Sequence, residues 1–382
     1  MDEPVPLVVS VMLNIGDETG HPFPYNRAVG AAAARLGWPH RAALQTGCQV
    51  RHLPADWDVC LFPIRYWSTR VPDFISVWRA AETIIAYLRR RVLPENRPTI
   101  LFLEFFSFPH LMALVLALLR LPRSQFQVWL LYRYEVHRQP TRRLYGWISR
   151  GLDRLLGQRY KVLSDSEPLA RELAPLLYRT PVIMPIPHAR PLAAPARPAW
   201  VDSAERAGQV ICWWPGRVAR EKGLDRLQWL ATVPAPGAER LSLVAARSTG
   251  LAARPGGPAV HLLDDNLPAA EYAGWLEAAD LVLLPYDALA YGNRTSGVFV
   301  EAIVAGKPAA VTAGTWMASE AVACGASSLV VDWNRRDLCE HLAHLARDPE
   351  VARQVAAMQA VYAERHTVAS YAVAMQALYS GG

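Results

Sequence analysis

The feature that most constrains this chain is an alternation, repeated in each half, of short continuous apolar runs with longer stretches of helical spacing. In the first half the apolar runs are Leu7–Leu13, Val59–Pro63, Thr99–Glu104, Phe126–Tyr132 and Tyr160–Ser164. Helical patterns occupy about Tyr25–Leu36, Asp73–Arg91, His110–Arg120 and Thr141–Leu156. Strands that are apolar at nearly every position are buried on both faces, which points to parallel sheets with helices on both sides. Residues 185–200 hold five prolines (Pro185, Pro187, Pro191, Pro195, Pro198), a density that neither a helix nor a central strand survives. The alternation then restarts with Val210–Trp214, a helix from Gly223, Leu241–Ala245, Val260–Leu263, a helix from Ala269, Leu281–Pro285, a helix from Ser296 and Ala309–Thr312. From Arg335 the pattern is helical almost to the end. The expected architecture is two doubly wound α/β domains, residues 1–190 and 191–360, separated by a cleft. A C-terminal helix, 361–382, is expected to pack back on the first domain.

Composition narrows the function classes. A length of 382 residues suits two domains, and 52% hydrophobic residues exclude wholesale disorder. Five scattered cysteines with no Cys-x-x-Cys pair argue against a disulfide framework and a structural zinc site. The N-terminus reads without a signal peptide. The longest apolar stretch, Leu111–Leu119, falls far short of the ~20 residues that span a bilayer. The chain is therefore expected to be cytoplasmic. The single Asp-x-Asp, Asp56-Trp-Asp58, precedes a strand, so no metal site is expected.

Ligands of doubly wound sheets sit beyond the carboxyl ends of strands, so the loops after strands carry the candidate chemistry. Trp214-Pro-Gly-Arg-Val-Ala-Arg-Glu-Lys-Gly223 follows one such run and opens a helix. Gly216 lets the chain turn. Arg217 and Lys222 bracket the helix start, where two cations beside exposed N–H groups suit a diphosphate. The chain has 37 arginines and only three lysines, one of which is Lys222, so a lysine kept there suggests a geometric need. Surface charge at a helix start is the plainer alternative.

A second loop leads from Leu281–Pro285 into Asn293-Arg-Thr-Ser-Gly-Val-Phe-Val-Glu301. Thr295 or Ser296 caps the following helix. The N–H groups of Gly297 and Val298 favour an anion, and Glu301, one turn in, can accept from both hydroxyls of a ribose. Lys307, beyond that helix, reads as a partner for its C-terminal dipole.

The combination Gly-Arg-x-x-x-Glu-Lys-Gly, Ala-Asp-Leu-Val-Leu-Leu-Pro and Glu-Ala-Ile-Val-Ala-Gly-Lys-Pro, in this order over about residues 208–315, resembles the C-terminal half of family 4 glycosyltransferases. That resemblance implies the GT-B fold of two Rossmann-like domains. It also implies metal-independent transfer of a sugar from a nucleotide-diphosphate donor with retention of configuration. The donor is then a co-substrate and no cofactor is needed. By the resemblance, Arg217 and Lys222 bind the donor phosphates and Glu301 the ribose, with Gly216, Asn293, Thr295, Ser296, Gly297 and Val298 completing the donor site. Two positions depart from the family pattern. A Glu usually stands eight residues before the ribose Glu, where this chain has Asn293. A His usually ends a strand in the middle of the first domain, where this chain aligns Arg133, counted with Arg217 and Lys222 as a candidate catalytic residue.

In the first half, Gly16-Asp-Glu-Thr-Gly-His21 lies where such enzymes have a Gly-rich loop near phosphate and acceptor, with Tyr25 and Asn26 starting the next helix. Gly16, Glu18, Gly20 and His21 are candidates for that loop, although turn chemistry alone explains the pattern. Glu104 is a further acceptor-side candidate; a capped helix start is the simpler reading of Glu104-Phe-Phe-Ser-Phe-Pro-His110. Charge is uneven, with a net +9 over residues 1–190 and −3 over 191–382. Eight basic residues between Arg133 and Lys161 meet only Glu135 and Asp153. This stretch reads as a patch for an anionic membrane surface (Arg138–Lys161), a patch for an acidic substrate, or a solvated helix face. No nucleic-acid motif accompanies it. The expected activity is transfer from a UDP-sugar to a saccharide or lipid-linked saccharide in bacterial surface polysaccharide or glycoconjugate synthesis, at the inner membrane face. Two rivals are a catalytically weak sugar-nucleotide-binding subunit of a polysaccharide assembly and a nucleotide-sugar epimerase.

Overall fold

In the computed structural model the described residues are 5–17, 22–64, 73–187, 196, 198, 200–201 and 208–381. The chain divides into two compact units, Met1–Pro187 with Val368–Gly382, and His188–Thr367.

The first unit is a parallel sheet of β1 (Leu7–Met12), β2 (His40–Gln45), β3 (Trp57–Leu61), β4 (Thr99–Leu103), β5 (Phe126–Tyr132), β6 (Tyr160–Ser164) and β7 (Val182–Ile183). Its order is β3-β2-β1-β4-β5-β6-β7. The apolar runs serve two layers at once, because successive side chains leave a strand on opposite faces. Phe126, Val128, Leu130 and Tyr132 enter the core under α2 (Phe74–Arg91), α3 (Phe108–Leu118), α4 (Arg142–Leu156) and α5 (Glu167–Leu177). Trp129 and Leu131 enter the opposite core, with α1 (Pro22–Arg35) and Met375 and Leu378 of the returning C-terminal segment.

The second unit contains β8 (Val210–Trp214), α6 (Leu224–Thr232), β9 (Leu241–Ala246), β10 (Ala259–Leu263), α7 (Ala269–Ala278), β11 (Leu281–Leu284), α8 (Ala288–Tyr291), α9 (Gly297–Val304) and β12 (Ala309–Thr312). It continues through α10 (Trp316–Ala323), β13 (Val330–Val331), α11 (Leu338–Leu345) and α12 (Pro349–Arg365). Its parallel order is β10-β9-β8-β11-β12-β13. In both sheets the strand order reverses beside the first strand, at β1/β4 and at β8/β11, and such reversals are where doubly wound sheets bind ligands. The chain leaves this unit after α12, and α13 (Val368–Ser380) lies against α1 in the first. There Tyr371 packs edge-on to Tyr25, and Trp38 to Tyr379.

Several elements escaped the periodicity. β2 begins with His40 and Arg41 and so shows only a short apolar core, Ala42–Leu44; Ser10 Oγ lies 3.0 Å from His40 Nε2 and accommodates that polar start. The helix α5 carries Pro168 at its first turn and Pro175 near its end, which hides its spacing. The stretch Arg138–Lys161 also divides. Arg142, Arg143, Arg150 and Arg154 are exposed on α4 with Trp147, which is 67% exposed. Lys161 is not part of that face: it is a buried residue of β6. Its alternation neighbour Leu163 faces the α1/α13 core, opposite the α4 core that Tyr160 and Val162 face. Among the described residues no helix is long and apolar enough to cross a membrane.

At the start of α3, Ser107 and His110 form a reciprocal cap, with Ser107 N–H donating to His110 Nδ1 at 2.9 Å. Burial pushes the His110 imidazole down to about 4. A histidine whose folded-state pKa lies below its unfolded value stabilises fully above about 6.5, and that stability is lost as pH falls toward 4. We expect thermal stability to drop across this window by up to about 3 kcal/mol from this group. His110→Gln keeps a side chain able to complete the cap and should flatten the pH dependence, as melting curves from pH 7 to 4 would show.

Candidate functional site

Two loops of the second unit, far apart in sequence, are fastened together at the β8/β11 reversal. The loop after β8 ends in a short turn at Arg220–Lys222, closed by Gly223 with φ +80°. A Cβ at Gly223 would stand 2.0 Å from the carbonyl oxygen of Pro285, so only glycine allows this crossing. Around it, Asp287 N–H donates to Glu221 O at 2.9 Å, and Trp214 Nε1 donates to Lys222 O at 3.1 Å. Arg226 Nη1, a residue not singled out from the sequence, donates to Pro285 O at 3.1 Å and to Thr312 Oγ1 at 3.0 Å, tying the ends of β11 and β12 to α6.

This junction brings charged groups together. Gly216 and Arg217 are exposed, and a Cβ at Gly216, where φ is +94°, would come within 3.1 Å of Lys222 Nζ. Burial holds the Lys222 ammonium below its ordinary range. Glu221 and Glu301 oppose that shift, while Arg294 and Arg217 deepen it. Three cations thus share one loop cluster, the condition for anion binding. Arg294, which also stacks over the Tyr291 ring at 4.6 Å, lies inside the quoted motif but its charge drew no attention in the sequence.

Across the cluster, α9 begins at Gly297 with Ser296 as its cap, Ser296 Oγ accepting from Phe299 N–H at 3.3 Å. The helix start leaves Gly297 and Val298 N–H without intrahelical carbonyls. Thr295 and the buried Asn293 lead into this cap. Glu301 sits one turn in and accepts from Tyr272 Oη at 2.6 Å. Burial pushes its carboxyl up to about 7, against Tyr272 and Lys222, which both pull it down. Tyr272 comes from α7 and is seated edge-on against Trp213 of β8 at 5.1 Å; nothing in the spacing of the sequence pairs it with Glu301. Lys307 lies apart from the cluster, donating to the Glu277 carbonyl at the end of α7.

The first unit carries its own cluster beyond the carboxyl ends of three neighbouring strands. Arg133, after β5, donates through Nη1 to Glu104 Oε1 at 2.9 Å, after β4, and through Nε to Asp165 Oδ2 at 2.6 Å, after β6. All three side chains are at most 10% exposed. Asn26 Nδ2 donates to Glu104 Oε2 at 3.4 Å, and the Arg133 guanidinium lies over the Tyr25 ring at 5.2 Å. Tyr25 Oη in turn donates to Tyr371 Oη of α13 at 3.3 Å. Arg133 is therefore clamped between two carboxylates, while its Nη2 makes no hydrogen bond among the described residues. The sequence pointed to Glu104 and Arg133 but missed Asp165 and Tyr371, although Asp165 directly follows a strand. His110 belongs to the cap described above. Gly16 lies in the loop after β1, its carbonyl accepting from Gln49 N–H at 2.8 Å; Glu18, Gly20 and His21 lie outside the described residues. Asp58 pairs with Arg91 at 3.1 Å.

Removing the cation from this cluster strands two buried carboxylates, a loss of about 3–5 kcal/mol for a broken buried pair. Arg133→Met should show a loss of that order in chemical denaturation.

No family model and no curated protein sequence matches this chain. Solved structures do match along its whole length. WaaG, a glycosyltransferase involved in lipopolysaccharide biosynthesis, has a TM-score of 0.62 at 14% identity, covering 98% of this chain and 100% of that one. HepE of Anabaena, in complex with UDP and glucose, has a TM-score of 0.59 at 12% identity, covering 98% and 100%. A Listeria monocytogenes protein described as a UDP-N-acetylglucosamine 2-epimerase has a TM-score of 0.59 at 13% identity, covering 99% and 98%. With its two parallel sheets, the chain has the GT-B fold of two Rossmann-like domains.

Proposed function

We propose that the chain is a retaining, metal-independent glycosyltransferase of the family 4 type, using a nucleotide-diphosphate sugar, with a UDP-sugar as first choice. The observation that carries this reading is the junction at Gly223, which assembles Lys222, Arg217, Arg294, Glu301 and the start of α9 at one sheet reversal. The cations and the Gly297 and Val298 N–H groups suit the donor diphosphate. Glu301, with Oε2 engaged by Tyr272, accepts from the ribose. In the transfer, the acceptor oxygen bonds to the anomeric carbon as the bond from that carbon to the phosphate oxygen breaks. The acceptor proton passes to the departing phosphate, on the same face. Arg217 and Lys222 meet the charge that grows on that phosphate, and stabilisation of developing charge is usually the largest catalytic term. In the first unit, Nη2 of Arg133, which makes no hydrogen bond among the described residues, is the group offered to a sugar or acceptor oxygen, with Glu104 and Asp165 orienting it.

A panel of UDP-, GDP-, dTDP-, CMP- and ADP-sugars in thermal shift tests the donor site. One nucleotide class should raise Tm by several degrees, since saturation at 100 times Kd adds roughly 2.7 kcal/mol, and Lys222→Ala should abolish the shift. Turnover with that donor should fall on the order of 10²–10³-fold in Lys222→Ala or Arg217→Ala; unchanged turnover in the double variant would sink the assignment. Glu301 binds ribose as the anion, so affinity for the intact nucleotide sugar should rise about tenfold from pH 6 to pH 8 as the group ionises. Glu301→Gln should remove that slope.

The epimerase reading is favoured by the Listeria likeness. It predicts a changed free nucleotide sugar in the absence of any acceptor, which NMR of the incubated donor distinguishes from transfer. Asn293 and the clamped Arg133 favour a third reading, a subunit that binds donor without turnover.

The acceptor we infer is a saccharide or lipid-linked saccharide of bacterial surface polysaccharide or glycoconjugate synthesis, met at the cytoplasmic membrane face. Exposed Arg142, Arg143, Arg150 and Trp147 on α4 support it, each basic residue near an anionic surface contributing about 1 kcal/mol. Pelleting with vesicles rich in anionic lipid should be lost when these three arginines become glutamine. Absence of pelleting by the wild type would end this part of the reading.

A further inference from the structure

At the other end of β6 from the Arg133 cluster, a groove of about 550 Å³ opens between the start of β6, the edge strand β7 and the end of α13. Of the motifs read from the sequence, it takes in the last residue of the basic stretch, Lys161. Its walls include Val182, Ala377 and Leu378, and Val182 is 43% exposed on a two-residue edge strand. Its volume lies within the ~300–1,000 Å³ of small-molecule sites.

The groove also holds Lys161, which is only 9% exposed. Its Nζ meets the Gly381 carbonyl at 3.5 Å, and no carboxylate lies within ion-pair distance among the described residues. The neighbouring Arg179 supplies no counter-charge; its own charge is taken up by Asp153 Oδ1 at 2.6 Å and the Gly157 carbonyl at 2.9 Å. A recessed ammonium without a carboxylate is costly in an apolar surround unless an anion joins it. The other two lysines are recessed at sites with evident partners: Lys222 in the cation cluster with Glu301, and Lys307 on a helix-end carbonyl. Lys161 is the one whose counter-charge is absent from the described chain.

We propose that this groove binds an amphiphilic anion, a single alkyl or acyl chain with a phosphate-type head, the head on Lys161 and the chain along Val182 and Leu378. An inorganic anion would satisfy Lys161 and leave the apolar walls wet. A neutral amphiphile would cover the walls and leave the ammonium unpaired. The proposal is independent of the glycosyltransferase reading and stands or falls separately from donor binding.

The test is isothermal titration of the full chain with dodecyl phosphate below its micelle concentration, with inorganic phosphate and dodecyl maltoside as parallel arms. Saturable one-to-one binding of dodecyl phosphate is expected, weakened on the order of tenfold or more in Lys161→Met. Ala377→Trp, at an exposed position of α13, should weaken it by filling the groove while leaving Lys161 in place. Without ligand, Lys161→Met should melt no lower than wild type, because it removes a buried unpaired charge. Equal binding of inorganic phosphate would overturn the apolar half of the proposal. Equal binding of dodecyl maltoside, unaffected by Lys161→Met, would overturn the ionic half, and no saturable binding would overturn both. If Lys161→Met does not fold, Ala377→Trp with the three ligand arms still decides it: undiminished dodecyl phosphate binding in that variant would place the ligand elsewhere.

Discussion

The approach of Gly223 to the carbonyl of Pro285 is the contact on which the candidate donor site depends. Backbone meets backbone there with no room for a methyl group, so the turn after β8 can lie directly on the loop after β11. Everything chemical follows from that closeness. Lys222 precedes the glycine and is carried toward the α9 side, while Arg217 sits at the open start of the same loop. Asp287 and Arg226 hold the two loops in this register with hydrogen bonds to main-chain oxygens. A backbone contact of this kind is stiffer than a side-chain contact because no rotamer change relieves it, which suits a site that must present fixed charges.

The two units solve opposite electrostatic problems. In the second, three cations gather around a loop, and the surplus positive charge favours an anionic ligand. In the first, two carboxylates hold one guanidinium beyond the ends of three adjacent strands, so the charges are largely satisfied within the protein. The cation cluster suits an anionic ligand; the carboxylate clamp suits holding one group in a fixed orientation. The support beneath Arg133 reaches from Tyr25 of α1 to Tyr371 of α13, so the last helix of the chain serves a site built mostly by the first 165 residues.

Charge patterns along the chain were an uncertain guide to surfaces. Arg138 to Lys161 form a single basic run in the sequence, but the run crosses from a helix into a strand. On α4 the period of 3.6 residues turns the arginines outward together. On β6 the period of two sends Lys161 to the other face of the sheet, beneath α13. The same run therefore supplies a solvent-facing patch and a recessed cation in an apolar groove, two environments with different chemistry.

The amino-acid sequence by itself determined the class of fold and marked the two loops that carry the candidate donor residues. Short runs apolar at nearly every position, alternating with helical spacing, point to strands covered on both faces, and Gly-Arg-x-x-x-Glu-Lys-Gly and the segment ending in Glu301 each announce a loop after such a strand. Strands with polar starts, such as His40–Gln45, and a helix bearing Pro168 and Pro175 were not legible, because their partners lie elsewhere in the chain. Tertiary structure alone decided which charges meet: Asp165 with Arg133, Tyr272 with Glu301, Arg294 beside Lys222, and Lys161 with no carboxylate partner among the described residues. Periodicity is a local property, fixed by neighbours a few residues away. The environment of a charge is set by groups that the fold brings from about 30 to more than 300 positions distant, and that information is present in the sequence only through the packing it produces.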